Sequence, residues 1–273
     1  MRKSSPPRPA TLAQPRVRRG YFECRYGQLH VHNAIPAGGG FEEDTPLLCL
    51  HPVPHSGRVF VRFLSLAGAT RSVFAPDLPG FGDSDPPSLP ADVAAHAAAI
   101  GDFLETMRLR QVDLLGQGFG ALVAVELAAS RPGQVRRLAL VAPPRAPAEA
   151  QGPPRAAAAD GSHLLEEWHR ALAYCGPSAA PAIATAVLAE RLRNGAQATA
   201  VAEAQRAYPL RPRLAQLALP LLVLRLGGEA GADKGQEREM PARARLIELP
   251  ERAPSLFETA PELAVQALES FLR

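Results

Sequence analysis

The stretch Val112–Ala121, with the sequence VDLLGQGFGA, decides the fold of this chain. It opens on a short strand-like run, Val112–Leu115, and continues into three glycines at alternate positions, which predict a sharp turn. The segment that follows, Ala121–Ser130, has apolar residues three and four apart, as in a helix with one buried face. We therefore predict a strand, a tight turn and a helix within twenty residues.

The same alternation continues on both sides of this unit. Tyr21–Tyr26 and Gln28–Asn33 alternate polar and apolar residues across Gly27, which predicts a hairpin at a sheet edge. Apolar runs predict six buried strands, at Pro46–Leu50, Ser72–Pro76, Val112–Leu115, Leu138–Ala142, Leu221–Leu226 and Arg245–Leu249. Helical spacing separates them, at Val59–Leu66, Ala91–Leu109, Ala121–Ser130 and Pro261–Leu272. The sequence thus predicts an α/β protein with an eight-stranded, mostly parallel sheet flanked by helices.

The alternation is interrupted once, after the sixth predicted strand. Residues 145–160 are rich in Pro and Ala, and three predicted helices follow, at His163–Tyr174, Pro181–Arg193 and Ala196–Ala207. We interpret residues 144–218 as a helical lid inserted into a core formed by residues 21–143 and 219–273.

Charge is concentrated at the N-terminus. Residues 1–20 hold six basic residues, no acid and four prolines, so we expect a disordered basic tail. The rest of the chain has a net charge of −3, which argues against a nucleic-acid partner. The sequence has no apolar run long enough to cross a membrane and no signal-peptide pattern, so we expect a cytoplasmic protein without a membrane partner.

Cofactor and metal motifs are missing from the sequence. It has no phosphate-binding or dinucleotide-binding glycine pattern, and Cys24, Cys49 and Cys175 are too widely spaced for a zinc site, so they are expected to be free thiols. His30 and His32 lie on the predicted edge hairpin, where we expect their side chains to point in opposite directions. We therefore expect neither a metal nor a cofactor.

Five segments in the correct order carry a family resemblance. Residues 112–121 resemble the nucleophile elbow of the α/β-hydrolase family, whose pattern is G-x-S-x-G. Four further segments resemble the family's oxyanion loop, its signature after the fourth strand and its sixth and seventh strands, at Leu50–Pro54, Ala75–Asp85, Arg131–Val141 and Pro220–Leu224. The resemblance implies the α/β-hydrolase fold over Tyr21–Arg273.

The resemblance also places a catalytic triad, and this sequence departs from it. Acyl transfer in the family requires a hydroxyl nucleophile, a histidine base and an acid that orients the histidine. The equivalent positions hold Gly118, Gly231 and Pro254. No histidine follows His169 in the sequence, so a shift in alignment cannot supply the base. Ordinary serine-hydrolase activity is therefore not expected.

Other parts of the family's site are retained. The resemblance implies that the backbone N–H groups of Val53 and Phe119 form an oxyanion hole. Trp168, on the first lid helix, is a candidate ligand contact. Asp77 and Asp83 resemble the family's loop-organising acids, for which a structural role is expected.

Two functions remain open at this stage. The first is a non-catalytic pseudo-hydrolase that binds a small hydrophobic molecule, an acyl compound or another protein. The second is a hydrolase or lyase of unusual chemistry that uses the oxyanion donors together with His55 or a lid histidine, His163 or His169. His51 is a further possible substitute for the missing base. The sequence does not determine the oligomeric state.

Overall fold

The computed structural model describes residues 15–37, 44–88, 90–144, 157–177, 179–226, 240–249 and 255–273. These residues form one sheet whose strands are β1 Arg18–Cys24, β2 Gly27–Ala34, β3 Leu47–Leu50, β4 Val73–Pro76, β5 Val112–Gln117, β6 Val135–Val141, β7 Leu221–Leu226 and β8 Arg245–Leu249. Their spatial order is β1-β2-β4-β3-β5-β6-β7-β8. β2 pairs antiparallel with β1 and β4, and the other pairs are parallel. The predicted sheet is confirmed.

The helices lie between the strands, as the sequence predicts. They are α1 Val61–Ala67, α2 Val93–Thr106, α3 Phe119–Ser130, α4 Ser162–Cys175, α5 Pro181–Arg193, α6 Gly195–Ala207, α7 Leu210–Gln216, α8 Leu256–Thr259 and α9 Pro261–Leu272. A 3₁₀ helix, Gly57–Phe60, precedes α1 and occupies the start of the helix predicted at Val59–Leu66. α7 and α8 were not predicted, because each is too short to show a helical period, and α7 also contains Pro212.

The sheet has a hydrophobic core on each face. One core packs β-strand side chains such as Leu50 and Leu114 against α2, α3 and α7. The other packs the alternate side chains, such as Cys49 and Leu115, against α1 and α9. Because both faces are covered, the central strands are apolar throughout and do not alternate.

The N-terminal tail is shorter than the sequence analysis expected. β1 begins at Arg18, and its first residues pair with Asn33, His32 and Val31 of β2. The prediction of disorder up to residue 20 is therefore wrong for residues 18–20, because the edge of β2 provides a backbone partner for them. Residues 1–14 lie outside the described part of the chain.

Among the residues that the structure describes, four helices, α4–α7, separate β6 from β7. α4 and α5 pack through a small apolar cluster and through an ion pair between Glu167 Oε2 and Arg191 Nε at 2.8 Å, with both side chains 0% exposed. We call residues 157–216 the helical insertion. Within the described residues no helix is both long and apolar enough to cross a membrane.

Candidate functional site

The turn between β5 and α3 has the conformation that the glycine pattern predicts. Gly118 adopts φ 54° and ψ −124°, in the region that side chains rarely occupy. Its N–H donates to Val141 O at 3.2 Å, and its carbonyl accepts from Ala121 N at 3.0 Å. The chain thus passes from strand to helix at a single residue, which lies at the carboxyl edge of the parallel strands.

Gly120 lets this turn lie directly against the neighbouring strand. A Cβ at this position would be 2.2 Å from the backbone oxygen of Leu50, at the end of β3. That distance is far below any real contact. The close approach brings the loop that follows β3 against the turn.

Gly118 faces that loop. A Cβ placed on it would lie 3.0 Å from Cβ of Pro52. Because glycine has no side chain, this turn presents backbone to the space beside Pro52 and provides no hydroxyl. The absence of a nucleophile at this position is therefore a property of the folded site as well as of the sequence.

His51 is committed to the structure of the loop. Its Nε2 accepts a hydrogen bond from Leu78 N at 2.8 Å, so Nδ1 carries the proton and donates to Pro52 O at 3.0 Å. Burial lowers the pKa of His51 and keeps the ring neutral. Both nitrogens are occupied, and this weighs against His51 as a replacement base.

Asp77 is likewise structural, as the sequence analysis expected. Its carboxylate accepts from the backbone N–H of Gly57 at 2.7 Å, from the N–H of Asp83 at 2.9 Å and from Nδ1 of His30 at 2.9 Å. Asp83 itself pairs with Arg193 of α5. These carboxylates hold loops together and are not arranged as an acid–base pair.

His55 lies further along the same loop. It is 1% exposed, and its ring stacks on Tyr174 of α4 with centroids 4.4 Å apart. Neither ring nitrogen has a hydrogen-bond partner among the described residues. Burial, with a smaller contribution from Arg191, lowers the pKa of His55 to about 3. A histidine with that pKa is uncharged at neutral pH and is a weak base.

Glu258 of α8 joins this group, and the sequence analysis missed it. Its Oε2 is shielded from solvent, as is the Tyr174 hydroxyl, and a side-chain hydrogen bond between Tyr174 and Glu258 affects the pKa of both groups. Burial raises the pKa of Glu258 to about 8. Ser255 Oγ donates to Cys175 O at 3.1 Å and fixes α8 against the end of α4. Glu258 is buried by packing between α8 and α4, which are far apart in the sequence. The signal that the sequence did offer was an acidic residue directly after the apolar pair Leu256 and Phe257.

With this geometry in place, the comparisons identify the family. The sequence profile of the alpha/beta hydrolase family matches residues 47–267, more than half of the chain. The chain belongs to this family. A haloalkane dehalogenase from Bradyrhizobium diazoefficiens is 34% identical over 100 residues, covering 36% of this chain and 32% of that protein. The lipase LipV from Mycobacterium tuberculosis is 33% identical over 138 residues, covering 50% of this chain and 46% of that protein.

These matches span less than half the length of those curated relatives, whereas solved structures match almost the whole fold. A mutant of the N-acyl homoserine lactonase AidH, complexed with N-hexanoyl homoserine, has a TM-score of 0.76 at 19% identity, covering 94% of this chain and 97% of that chain. The enol-lactonase from Burkholderia xenovorans LB400 has a TM-score of 0.74 at 18% identity, covering 93% of this chain and 99% of that chain. At these identities the likeness concerns the fold alone.

Within the α/β-hydrolase fold, the two predicted oxyanion donors lie on the segments that meet at Gly118. Phe119 is the first residue of α3, where helix N–H groups have no partner inside the helix. Its ring is buried in the core against His96, so its backbone is what it can offer a ligand. Val53 follows Pro52 and is partly buried. Their role as an oxyanion hole remains a prediction.

The candidate residues on α4, the first helix of the helical insertion, were expected to contact a ligand or to act as a base. Trp168 is partly buried and packs on the apolar cluster between α4 and α5. His163 Nδ1 accepts from Ala158 N at 3.1 Å, at the start of α4, and His169 is exposed. Contact between Trp168 and a ligand remains a prediction, and the two histidines are engaged elsewhere or face solvent.

The expectation for His30 and His32 was wrong in its geometry. Residues two apart on a strand share a face, and the two rings lie 4.6 Å apart. Ligand atoms of His30, His32 and Asp77 all lie within 4.8 Å of one another, a spacing compatible with a metal ion. Burial lowers the pKa of His32 to about 4, so its ring is neutral. His30 and Asp77 already bond to each other, which agrees with the structural role expected for Asp77.

The other two triad positions, Gly231 and Pro254, lie outside the described residues. Their equivalence to the family's acid and histidine remains a prediction.

Proposed function

We propose that this chain binds a small, uncharged acyl compound in a site between the sheet and the helical insertion, and does not turn it over. The observation that carries the proposal is Gly118, a residue without a side chain in an intact elbow conformation. Removing a complete triad lowers turnover about 10⁶-fold in a serine protease, while binding and backbone donors remain. A family member without the hydroxyl therefore keeps the means to bind and loses the means to react.

The structural neighbours suggest a ligand class to test. A serine-to-glycine mutant of AidH, complexed with N-hexanoyl homoserine lactone, has a TM-score of 0.74 at 20% identity to this chain, covering 94% of this chain and 97% of that chain. That complex is an example of this fold holding an acyl lactone in a chain where a serine has been replaced by glycine. N-Hexanoyl homoserine lactone is thus a suitable first probe.

Calorimetric titration with this lactone, followed by extraction and quantification of the ligand, tests the proposal. We expect saturable one-to-one binding and recovery of intact lactone. The matched control is Leu165→Ser, which removes an exposed apolar side chain of α4 and should leave the affinity unchanged. Absence of saturable binding, or conversion of the lactone faster than in buffer, would sink the proposal.

One observation favours a second function, an acid–base enzyme of unusual chemistry. Glu258, with a pKa of about 8, is matched to proton transfer near neutral pH, whereas His55, with a pKa of about 3, is not. This alternative predicts a reaction whose rate changes with pH around 8 and is lost in Glu258→Gln. A rate unaffected by that substitution would remove it.

A further inference from the structure

Three elements bring polar atoms together beneath the helical insertion. His55 comes from the loop after β3, Tyr174 from α4 and Glu258 from α8. Nδ1 and Nε2 of His55 are shielded from solvent and lack hydrogen-bond partners among the described residues, and the equally shielded Tyr174 hydroxyl and Glu258 Oε2 have only each other. Leaving a polar atom buried and unpaired is unfavourable, so such a concentration needs an explanation.

One member of this group, His55, lies beside the elbow. The backbone N–H of His55 donates to Pro52 O at 3.0 Å, and Pro52 is the residue that a side chain on Gly118 would meet. The cluster therefore includes a residue of the loop that faces Gly118, the position of the missing nucleophile.

The charges packed around the cluster are balanced. Arg191 pairs with Glu167, and Glu190 accepts from Arg58 Nε at 3.1 Å. On the side of α1, Arg62 Nη1 binds the backbone oxygen of Glu258. Carboxylates thus offset Arg191 and Arg58, and Arg62 is exposed to solvent, so an anionic ligand buried here would lack a cation of its own, which is strongly unfavourable.

The cluster itself is uncharged at neutral pH. Burial raises the pKa of Tyr174 well above its ordinary value and that of Cys175 to about 11. Burial also keeps Glu258 protonated below pH about 8 and His55 unprotonated above pH about 3. The site thus offers O–H and N–H donors as well as acceptors, and no net charge.

We infer that His55, Tyr174 and Glu258 form a subsite that binds the neutral carbonyl group of an amide or lactone and rejects the carboxylate of the corresponding acid. This inference rests on the proposed binding function and names the part of the ligand that is recognised. The Glu258 O–H donates to the ligand carbonyl while the Tyr174 hydroxyl binds the other oxygen of that carboxyl group, and the N–H of the neutral His55 ring is a second donor to the ligand.

Hexanamide and hexanoate test the subsite, because they have the same shape and differ in charge. Affinities are measured by calorimetry at pH about 6.5 and about 9.5, on either side of the Glu258 pKa of about 8. We expect the wild-type protein at the lower pH to bind hexanamide on the order of tenfold more tightly than hexanoate. Hexanamide affinity should then fall by a similar factor at the higher pH, where Glu258 loses its proton.

Glu258→Gln keeps the size and a donor but cannot ionise, so hexanamide affinity should be retained and become independent of pH. Glu262→Gln, on the exposed face of α9, is the matched control and should behave as wild type. Equal binding of hexanoate and hexanamide, or a pH dependence that persists in Glu258→Gln, would overturn the subsite. If Glu258→Gln does not fold, the wild-type discrimination between the two ligands decides alone. Lactone binding without this discrimination overturns the subsite only, whereas no binding of any probe overturns the proposed function too.

Discussion

At the scale of single residues, Gly118 has a backbone conformation that would be strained in a residue with a side chain. The family pattern has its nucleophilic serine at this position, and here the position has no side chain. A non-glycine residue at this φ and ψ costs on the order of 1–3 kcal/mol, and glycine avoids that cost. The glycine spacing predicted the turn from sequence because the turn is local. The contact with Pro52 joins residues far apart in the chain, so no local pattern could show it.

A substitution of His51 tests whether this residue has a structural role. His51→Ala removes the acceptor of Leu78 N–H and leaves that group buried, so we expect a loss of about 1–3 kcal/mol in the free energy of unfolding. Urea denaturation measures it. His169→Ala, at an exposed position, should stay within about 0.5 kcal/mol of wild type. An equally small effect of His51→Ala would contradict the structural role.

Two side chains show where sequence interpretation failed at this scale. His30 and His32 share a face by the two-residue period of a strand, and the expectation that they diverge misapplied that rule. Glu258 was overlooked for another reason. Its burial is created by α4 packing on α8, and neither segment alone indicates it.

At the scale of elements, the helical insertion is held together by charge as well as by apolar contact. The helices α4, α5 and α6 were predicted to within about two residues because their apolar residues keep a helical period. The pairing of Glu167 on α4 with Arg191 on α5 could not be predicted. A charged residue in a helix is usually solvated, and only the tertiary fold buries these two.

Glu167→Ala should therefore destabilise the protein by about 3–5 kcal/mol, because it removes the buried carboxylate that pairs with Arg191 Nε. Thermal and urea denaturation report the change. Glu166→Ala is the matched control: Glu166 pairs with Arg170 one turn away near the surface, and its loss should cost under about 1 kcal/mol. Equal effects of the two substitutions would show that the buried pair does not hold α4 to α5.

At the scale of the whole molecule, buried titrating groups link stability to pH. Burial lowers the pKa of His32 to about 4 and of His55 to about 3, so the folded chain stays unprotonated at these sites where the unfolded chain takes up protons. Both rings thus reduce stability as pH falls below about 6.5. Glu258 acts in the opposite sense. The folded chain keeps its proton up to about pH 8, while the unfolded chain loses it near pH 4.5.

The contribution of Glu258 can be isolated by difference. As pH rises from about 4.5 to about 8, wild type should lose unfolding free energy relative to Glu258→Gln, which does not titrate. Urea denaturation across this range measures the difference. Glu262→Gln should follow wild type at every pH. A constant difference between wild type and Glu258→Gln would mean that Glu258 ionises normally in the folded protein.

The central claim is that the chain keeps the backbone conformation of the nucleophile elbow and has no serine-hydrolase activity. Ester turnover tests it most directly, with p-nitrophenyl hexanoate and with wild type and Gly118→Ser measured side by side. The serine should strain the turn by on the order of 1–3 kcal/mol, and the neutral, weakly basic His55 gives it no effective base. We predict that both proteins release nitrophenol at the rate of buffer. Wild-type turnover that disappears in Glu258→Gln, or brisk turnover by Gly118→Ser alone, would contradict the account.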